Sequence, residues 1–276
     1  MAEHSVGHSG WLRTLICVCC MALCQGQGDS LRAQEPSPAK PPRIALISPL
    51  GVLPGVKTRV ILRGWLLKDP VAVVADRSEV QIAVVSHAAA AVPGRQKAEQ
   101  IGDEQLELDI EVPAGFTADA VTVSVRTAGG DSAGRRLLIG SVLPLIQEQE
   151  PNDGFRQGQQ ISVPQLIVGS IHADTNVDVY SFELTQATAI RIQVDAASLG
   201  SNLDSMLTLW TASGTIVASS DDGSGTVLSR DSVIESALPA GRYLITLQDA
   251  LDRGGPAHPY RLQIQQLPAS SQLPTP

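Results

Sequence analysis

Residues 106–112 read LELDIEV and alternate apolar and acidic side chains without interruption. Successive side chains of a β-strand point to opposite faces, so the pattern predicts a strand with one face in a core and the other in water. An amphipathic helix would instead repeat its apolar residues every three or four positions. No long segment of that kind follows the N-terminal region, and the stretch therefore favours an all-β fold.

Similar short runs, separated by Gly, Pro, Asn, Asp and Ser, lie on both sides of this strand. Their spacing predicts two β-sandwich domains, an Ig-like one at residues 42–140 and a jelly-roll-like one at residues 147–267. The alanine-rich and polar segment 88–104 is expected to form a long surface loop, in which a short helix remains an alternative. The proline-rich end, residues 268–276, predicts a disordered tail.

The N-terminal residues 1–33 have the pattern of an export signal, in which Arg13 precedes a short apolar run. Cleavage after Gly28 and cleavage after Ala33 both fit. All four cysteines lie in this segment, and no later stretch is long and apolar enough to predict a transmembrane anchor. We therefore expect an exported protein without disulfides, located in the periplasm, on the cell surface or outside the cell.

The negative charge is concentrated in the C-terminal half of the chain. Between residues 147 and 267 acidic residues outnumber arginines and lysine is absent, so the net charge of −8 belongs to this half. Such a surface repels nucleic acid and attracts cations.

The stretch EQEPNDG, residues 148–154, joins the two predicted domains. In an extended segment Glu148, Glu150 and Asn152 would project to one side, and their oxygens are ligands that calcium prefers. A linker whose charges only face water is the alternative at this point. The later stretch DDGSG, residues 221–225, is more typical of a hairpin loop than of a metal site.

Catalytic patterns are weak, and we expect no enzyme activity. The sequence GDSAG around Ser132 has the spacing of a nucleophile elbow, but a further strand rather than a helix is predicted after it. The histidines His87, His172 and His258 are isolated and are expected at the surface. Tyr180 and Tyr243 are expected in the core, and Trp210 half exposed.

Two family resemblances rest on particular motifs. Residues 47–51 (ISPLG), 54–56 (PGV), 60–64 (VILRG) and 127–132 (TAGGDS) resemble the IPT/TIG group of Ig-like domains. Residues 148–153 (EQEPND), 169–171 (GSI), 178–182 (DVYSF), 203–209 (LDSMLTL) and 238–243 (LPAGRY) resemble the bacterial pre-peptidase C-terminal domain.

The second resemblance implies a calcium site where the acidic linker meets the sandwich. The residues that match its ligands are Glu148, Glu150, Asn152, Asp153, Asp174 and Asp178. Calcium bound there would dock the linker and limit motion between the domains.

Together these features predict a non-catalytic exported binding or accessory protein with a calcium-binding module. Its partner would be an extracellular or envelope protein or a polysaccharide. The alternative is a secretion-assisting or chaperone-like module that acts with an exported peptidase. The sequence leaves the oligomeric state open.

Overall fold

The computed structural model describes residues 39–140, 142–223 and 230–268. The predicted signal segment with its four cysteines, residues 224–225 of the predicted hairpin loop, and residues 269–276 of the predicted tail lie outside the described residues. Among the described residues, no helix has the length and apolar character needed to cross a membrane.

The first half of the chain forms a sandwich of two sheets, called here the first sandwich. Its elements are β1 (Arg43–Ser48), β2 (Gly51–Val52), β3 (Thr58–Trp65), β4 (Ala72–Ala75), β5 (Gln81–Ala89), α1 (Ala98–Ile101), β6 (Glu104–Glu111), β7 (Ala120–Thr127), β8 (Gly130–Asp131) and β9 (Arg135–Ile139). One sheet has the order β1-β3-β6-β5 and the other the order β2-β9-β7-β4, with β8 beside β7.

The alternation in β6 is confirmed by burial. Leu106, Leu108 and Ile110 are fully buried, whereas the acidic residues between them are partly exposed. Each buried aliphatic side chain removed from water stabilises the fold by about 1.5–3 kcal/mol. The pattern of this strand therefore orients its sheet toward the core of the first sandwich.

The second half of the chain forms the second sandwich. Its elements are β10 (Leu145–Gln147), β11 (Gln159–Gln160), β12 (Gln165–Ser170), β13 (Val177–Leu184), β14 (Thr188–Asp195), a 3₁₀ turn (Ala197–Leu199), β15 (Ser205–Thr211), β16 (Ile216–Ser220), β17 (Val233–Leu238), β18 (Gly241–Asp249) and β19 (Pro259–Gln266). The two sheets have the orders β10-β12-β19-β14-β17 and β11-β13-β18-β15-β16. The all-β fold with two sandwiches is thus confirmed.

A third hydrophobic cluster joins the two sandwiches. Its buried members Leu46, Leu50 and Ile101 come from the first sandwich, and Leu199 and Ala257 come from the second. Both sandwiches accordingly belong to one compact unit, Pro38–Pro276, and the domain limits at residues 140 and 147 stay predictions.

The segment 88–104 contributes to this contact and is more ordered than a surface loop. Strand β5 extends to Ala89, and α1 buries Ile101 with only 1% of its surface exposed. From the same segment the Arg95 guanidinium donates hydrogen bonds to the carbonyls of Leu251 and Asp252 in the second sandwich. The expected surface loop is thus confined to residues 90–97, and the short helix that was the alternative is present as α1.

Leu50→Asp should make the two sandwiches unfold in separate thermal transitions. Leu50 is 3% exposed within the third cluster, and an unpaired buried carboxylate there should lower the free energy of unfolding by at least about 3 kcal/mol. Calorimetry should show one transition for the parent protein and two for the variant. Val71→Asp, at a site that is 70% exposed, is the control and should keep the single transition; a Leu50→Asp profile identical to that control would contradict the prediction.

Candidate metal centre

The acidic linker crosses from one sheet of the second sandwich to the other. Strand β10 pairs with β12 in one sheet, and β11 pairs with β13 in the opposite sheet. Residues 148–154 lie between β10 and β11, so they must pass over the edge of the sandwich. This path brings the linker carboxylates to the ends of β12 and β13.

Glu148 turns into the sandwich and is held by several donors. Its Oε2 accepts a hydrogen bond of 2.8 Å from the amide of Ser170, and its Oε1 accepts one of 2.8 Å from the hydroxyl of Tyr260. Gly169 leaves the necessary space, because a Cβ at that position would lie 2.7 Å from Oε2 of Glu148 and 2.5 Å from the Tyr260 hydroxyl. The position of this carboxylate is therefore fixed by the surrounding fold.

Asp178 is fully buried on β13, on the same side of the strand as core residues Tyr180 and Phe182. Its Oδ2 lies 2.6 Å from the Tyr260 hydroxyl, whose single proton is shared between this contact and the one to Glu148, whereas Oδ1 of Asp178 has no hydrogen-bond partner among the described residues. Burial, followed by the neighbouring Glu148 carboxylate, raises the pKa of Asp178 to about 10. Without a cation, this carboxyl group is therefore protonated at neutral pH.

Glu150 and Asn152 complete the cluster from the linker side. Oε2 of Glu150 accepts a hydrogen bond of 3.0 Å from the backbone amide of Asn152. Oε1 of Glu150 lies 2.7 Å from Nδ1 of His172. Asn152 is fully buried, and its Nδ2 donates to Oε1 of Glu148 at 3.3 Å. Within the part of the chain that the structure describes, Oδ1 of Asn152 has no hydrogen-bond partner.

These residues form an oxygen-rich cluster suited to a hard cation. One carboxylate oxygen from each of Glu148, Glu150 and Asp178 lies within 4.8 Å of the others. Two buried acceptors of these residues, Oδ1 of Asp178 and Oδ1 of Asn152, lack donors in the described ranges. An unsatisfied buried acceptor costs about 1–3 kcal/mol, and a bound cation would satisfy both.

Asp153 and Asp174, the other two residues expected as ligands, lie outside this group of carboxylates. Oδ1 of Asp153 accepts a hydrogen bond of 2.7 Å from the Asn176 side chain. Oδ1 of Asp174 accepts one of 3.1 Å from the Gly254 amide, and its Oδ2 lies 3.7 Å from the Arg95 guanidinium. Their expected role as ligands stays a prediction.

The two tyrosines that complete the centre were not expected there. Tyr180 and Tyr260 are fully buried, their hydroxyls lie 2.5 Å apart, and both contact Oε1 of Glu148. The core location expected for Tyr180 is confirmed, and so is that of Tyr243. The signal available in the sequence was the two-residue spacing of Asp178 and Tyr180, which places a carboxyl and a phenol on one strand face.

The histidines and Ser132 also have definite environments. His87 and His172 are partly exposed and pair with Glu104 and Glu150. His258 is fully buried, so its expected surface position is wrong.

Ser132 does not have the surroundings of a nucleophile elbow. Its hydroxyl accepts a hydrogen bond of 3.0 Å from the Val125 backbone amide, and strand β9 rather than a helix follows it.

Trp210 is partly exposed, as expected. Its indole packs edge to face on Phe155 at a centroid distance of 5.3 Å. Its Nε1 donates to the Thr246 hydroxyl at 3.1 Å.

Several solved structures share fold features with the chain. The pre-peptidase C-terminal domain of collagenase from Bacillus anthracis is 18% identical, covering 43% of this chain and 100% of that chain, with a TM-score of 0.33. SGBP-B of the mixed-linkage glucan utilization locus of Bacteroides ovatus is 8% identical, covering 82% and 74%, with a TM-score of 0.26. The secreted serine protease VesC from Vibrio cholerae is 9% identical, covering 79% and 48%, with a TM-score of 0.25. Similarities this low transfer neither a ligand nor an activity to this chain.

A family model identifies the second sandwich more directly. The comparison with curated proteins gave no match. Residues 176–249, which begin beside Asp178 and end with β18, match the model of the bacterial pre-peptidase C-terminal domain. Residues 176–249 of the second sandwich therefore resemble the bacterial pre-peptidase C-terminal domain, and the rest of the chain lies outside the match.

Proposed function

We propose that the protein is an exported binding or accessory protein whose second sandwich binds calcium through Glu148, Glu150, Asn152 and Asp178. The observation that supports this most strongly is the pair of buried oxygens without donors, Oδ1 of Asn152 and Oδ1 of Asp178, beside three clustered carboxylates. A cation would satisfy both oxygens and would favour the ionised form of Asp178.

The donor set favours calcium over other common metals. All four proposed ligands offer oxygen, which suits a hard cation, whereas zinc and copper sites usually include imidazole or thiolate ligands. The four ligands come from a linker and a strand, an irregular arrangement that the flexible coordination of calcium tolerates better than magnesium does. Tyr260 and Ser170 would orient Glu148 from the outer shell, as the hydrogen bonds to its carboxylate indicate.

Calcium would fasten the linker to β13 and thereby stabilise the second sandwich. The carbonyl of Asn152 already accepts a hydrogen bond of 3.0 Å from the Val179 amide, so the proposed ligands on the two segments are held in register. The third hydrophobic cluster packs the two sandwiches together through other residues. We therefore expect the cation to act mainly on the stability of the second sandwich rather than as a switch of domain orientation.

The partner we propose is an extracellular or envelope protein or a polysaccharide. Support comes from the export signal predicted from the sequence and from the match of residues 176–249 to the pre-peptidase C-terminal domain. Incubating the protein with washed envelope material and with culture medium would distinguish partners: retention on the insoluble polysaccharide supports adhesion, and capture of a secreted peptidase supports the accessory role. Retention by neither would contradict both.

Asp178→Asn should weaken calcium binding strongly without unfolding the protein. An asparagine resembles the protonated aspartic acid of the cation-free state, so it fits the buried site, but it removes a charged ligand. Isothermal titration should show calcium affinity at least about tenfold weaker than that of the parent protein. Glu150→Gln should weaken binding in the same direction.

Asp153→Asn and Asp174→Asn are the matched controls for this titration. Both remove one carboxylate outside the cluster of three, so the four-residue ligand set predicts that calcium affinity is retained, whereas the six-residue set predicted from the sequence requires a loss. Absence of binding heat with the parent protein, together with an unchanged melting temperature in excess calcium, would eliminate the proposed site.

The stability of the calcium-free protein should fall as the pH rises. The pKa of Asp178 is about 10 in the folded chain against 3.8 as the ordinary value, so between these limits the folded state holds one proton more than the unfolded state. The free energy of unfolding should therefore decrease with increasing pH, by up to about 1.4 kcal/mol per pH unit for one proton.

Urea titrations between pH 5 and 8, in buffer with a chelator, measure how the free energy of unfolding changes with pH. Asp178→Asn should flatten this slope, because the group that loses the proton is removed. Saturating calcium should also flatten it, since the cation stabilises the ionised carboxylate. A slope that persists unchanged in Asp178→Asn would assign the effect to other groups.

A further inference from the structure

A second unusual site lies on the opposite face of β19. Arg261 follows Tyr260 directly, so its side chain points away from the core of the second sandwich. It lines a cavity of about 640 Å³ whose walls come from both sandwiches. Gln263 and Gln265 have the same parity on β19 and line the cavity beside it.

Arg261 is a buried cation without a bound carboxylate. It is only 7% exposed, its Nε has no hydrogen-bond partner, and no salt bridge to it is formed by the described residues. The residue opposite in the neighbouring strand is Asp195, but the Asp195 carboxylate accepts hydrogen bonds from Gln193 and Gln263 instead. A guanidinium whose Nε is removed from water without a partner is costly and is a feature of ligand sites.

The neighbouring charges do not compensate for this burial. Burial is the main cause that lowers the pKa of Arg261, the negative charge of Asp195 opposes this effect, and the positive charge of Arg136 adds to it. Asp119 lines the same cavity, but its side chain is 93% exposed and lies 4.0 Å from Arg136. An anion in the cavity would therefore meet Arg261 as its nearest buried countercharge.

The guanidinium lies close to the backbone of the first sandwich. A Cβ at Gly51 would lie 3.1 Å from Nη1 of Arg261 and 3.2 Å from the carbonyl oxygen of Leu138. A side chain at Gly51 would crowd Nη1, so the glycine in β2 leaves room for the guanidinium at the wall of the first sandwich. Arg261 thus lies between the two sandwiches.

The remaining walls determine which anion would fit. Leu53, Pro54, Phe116 and Leu138 line the cavity with apolar surface, while Gln263 and Gln265 add amide groups. A guanidinium pairs with a planar carboxylate through two parallel hydrogen bonds. Apolar walls would bind the aliphatic or ring portion of the same molecule, which inorganic phosphate or sulfate does not have.

We propose that the cavity between the two sandwiches binds a small organic carboxylate, with Arg261 pairing to its carboxylate and the Leu53, Phe116 and Leu138 walls contacting its apolar portion. The site uses none of the proposed calcium ligands. It gives the contact between the sandwiches a ligand-binding role in addition to its structural one.

Binding of sodium hexanoate to the full chain tests this proposal. The titration is followed by amide NMR shifts, once with calcium and once with chelator, so that failure of the calcium site does not affect the result. Hexanoate should bind at least about fivefold more tightly than acetate, which lacks the apolar chain, and than hexanol, which lacks the charge. The shifted amides should belong to Leu53, Phe116, Leu138 and Gln263.

Arg261→Met removes the charge and keeps an extended side chain, and it should weaken hexanoate binding at least about tenfold. Arg242→Gln, an exposed arginine on β18 outside the cavity, is the control and should bind hexanoate like the parent protein. If Arg261→Met does not fold, the map of shifted amides in the parent protein decides instead. Equal affinity for hexanoate and hexanol, unchanged binding by a folded Arg261→Met, or shifts located elsewhere would each overturn the proposal.

Two further probes distinguish the source of the carboxylate. N-acetyl-leucine represents the free end of a peptide, and glucuronate represents an acidic sugar. Tighter binding of either than of acetate supports the site and identifies that source. If both bind more weakly than acetate, the proposal is contradicted, because the cavity walls should contact the rest of the ligand as well as its carboxylate.

Discussion

The burial of Asp178 next to Glu148 is the constraint around which the second sandwich is organised. Two carboxyl groups share the hydroxyl of Tyr260, and the fold surrounds them with core side chains instead of water. Two buried carboxyl groups this close together both remain ionised only when a cation lies with them. Without a cation, one of them holds a proton. The surrounding residues fit these two groups. The linker carries Glu148, Gly169 leaves space for its carboxylate, and the paired tyrosines contact it.

Strand β19 connects this centre with the cavity between the sandwiches. Tyr260 points inward to the buried carboxyl groups, and Arg261, the next residue, points outward to the first sandwich. One strand therefore contributes to a candidate cation site on one face and places a buried arginine without a bound carboxylate on the other. The separation of the two faces keeps Arg261 from neutralising Asp178, which a salt bridge within the core would otherwise do.

The contact between the sandwiches combines two kinds of surface. Leu46, Leu50 and Ile101 form an apolar cluster with Leu199 and Ala257, which provides the adhesion expected of a stable domain interface. The cavity around Arg261 lies beside this contact and contains a buried charge, which contributes no such stabilisation by itself. A charge retained at that location is better explained by binding than by packing.

Much of the fold could be predicted because its signals are local. The alternation of residues 106–112, the turn residues between runs and the charge distribution predicted two all-β sandwiches, and the burial of Leu106, Leu108 and Ile110 follows from that pattern. For the candidate site, the linker carboxylates could be proposed from spacing and resemblance. Tyr260 could not, since it lies 112 residues after Glu148 and nothing in the sequence between them indicates the contact.

The sequence by itself determined which residues alternate, where the chain turns and which segment is acidic, because these properties depend on neighbours in the chain. Only the tertiary structure decided that Asp178 is buried beside Glu148, that Asp153 and Asp174 have other partners, and that His258 and Arg261 are inside. The reason is physical: burial depends on which surfaces cover a strand face, and those surfaces come from distant strands and from the other sandwich. The same carboxylate or guanidinium is a solvated charge on an open face and a binding group on a covered one.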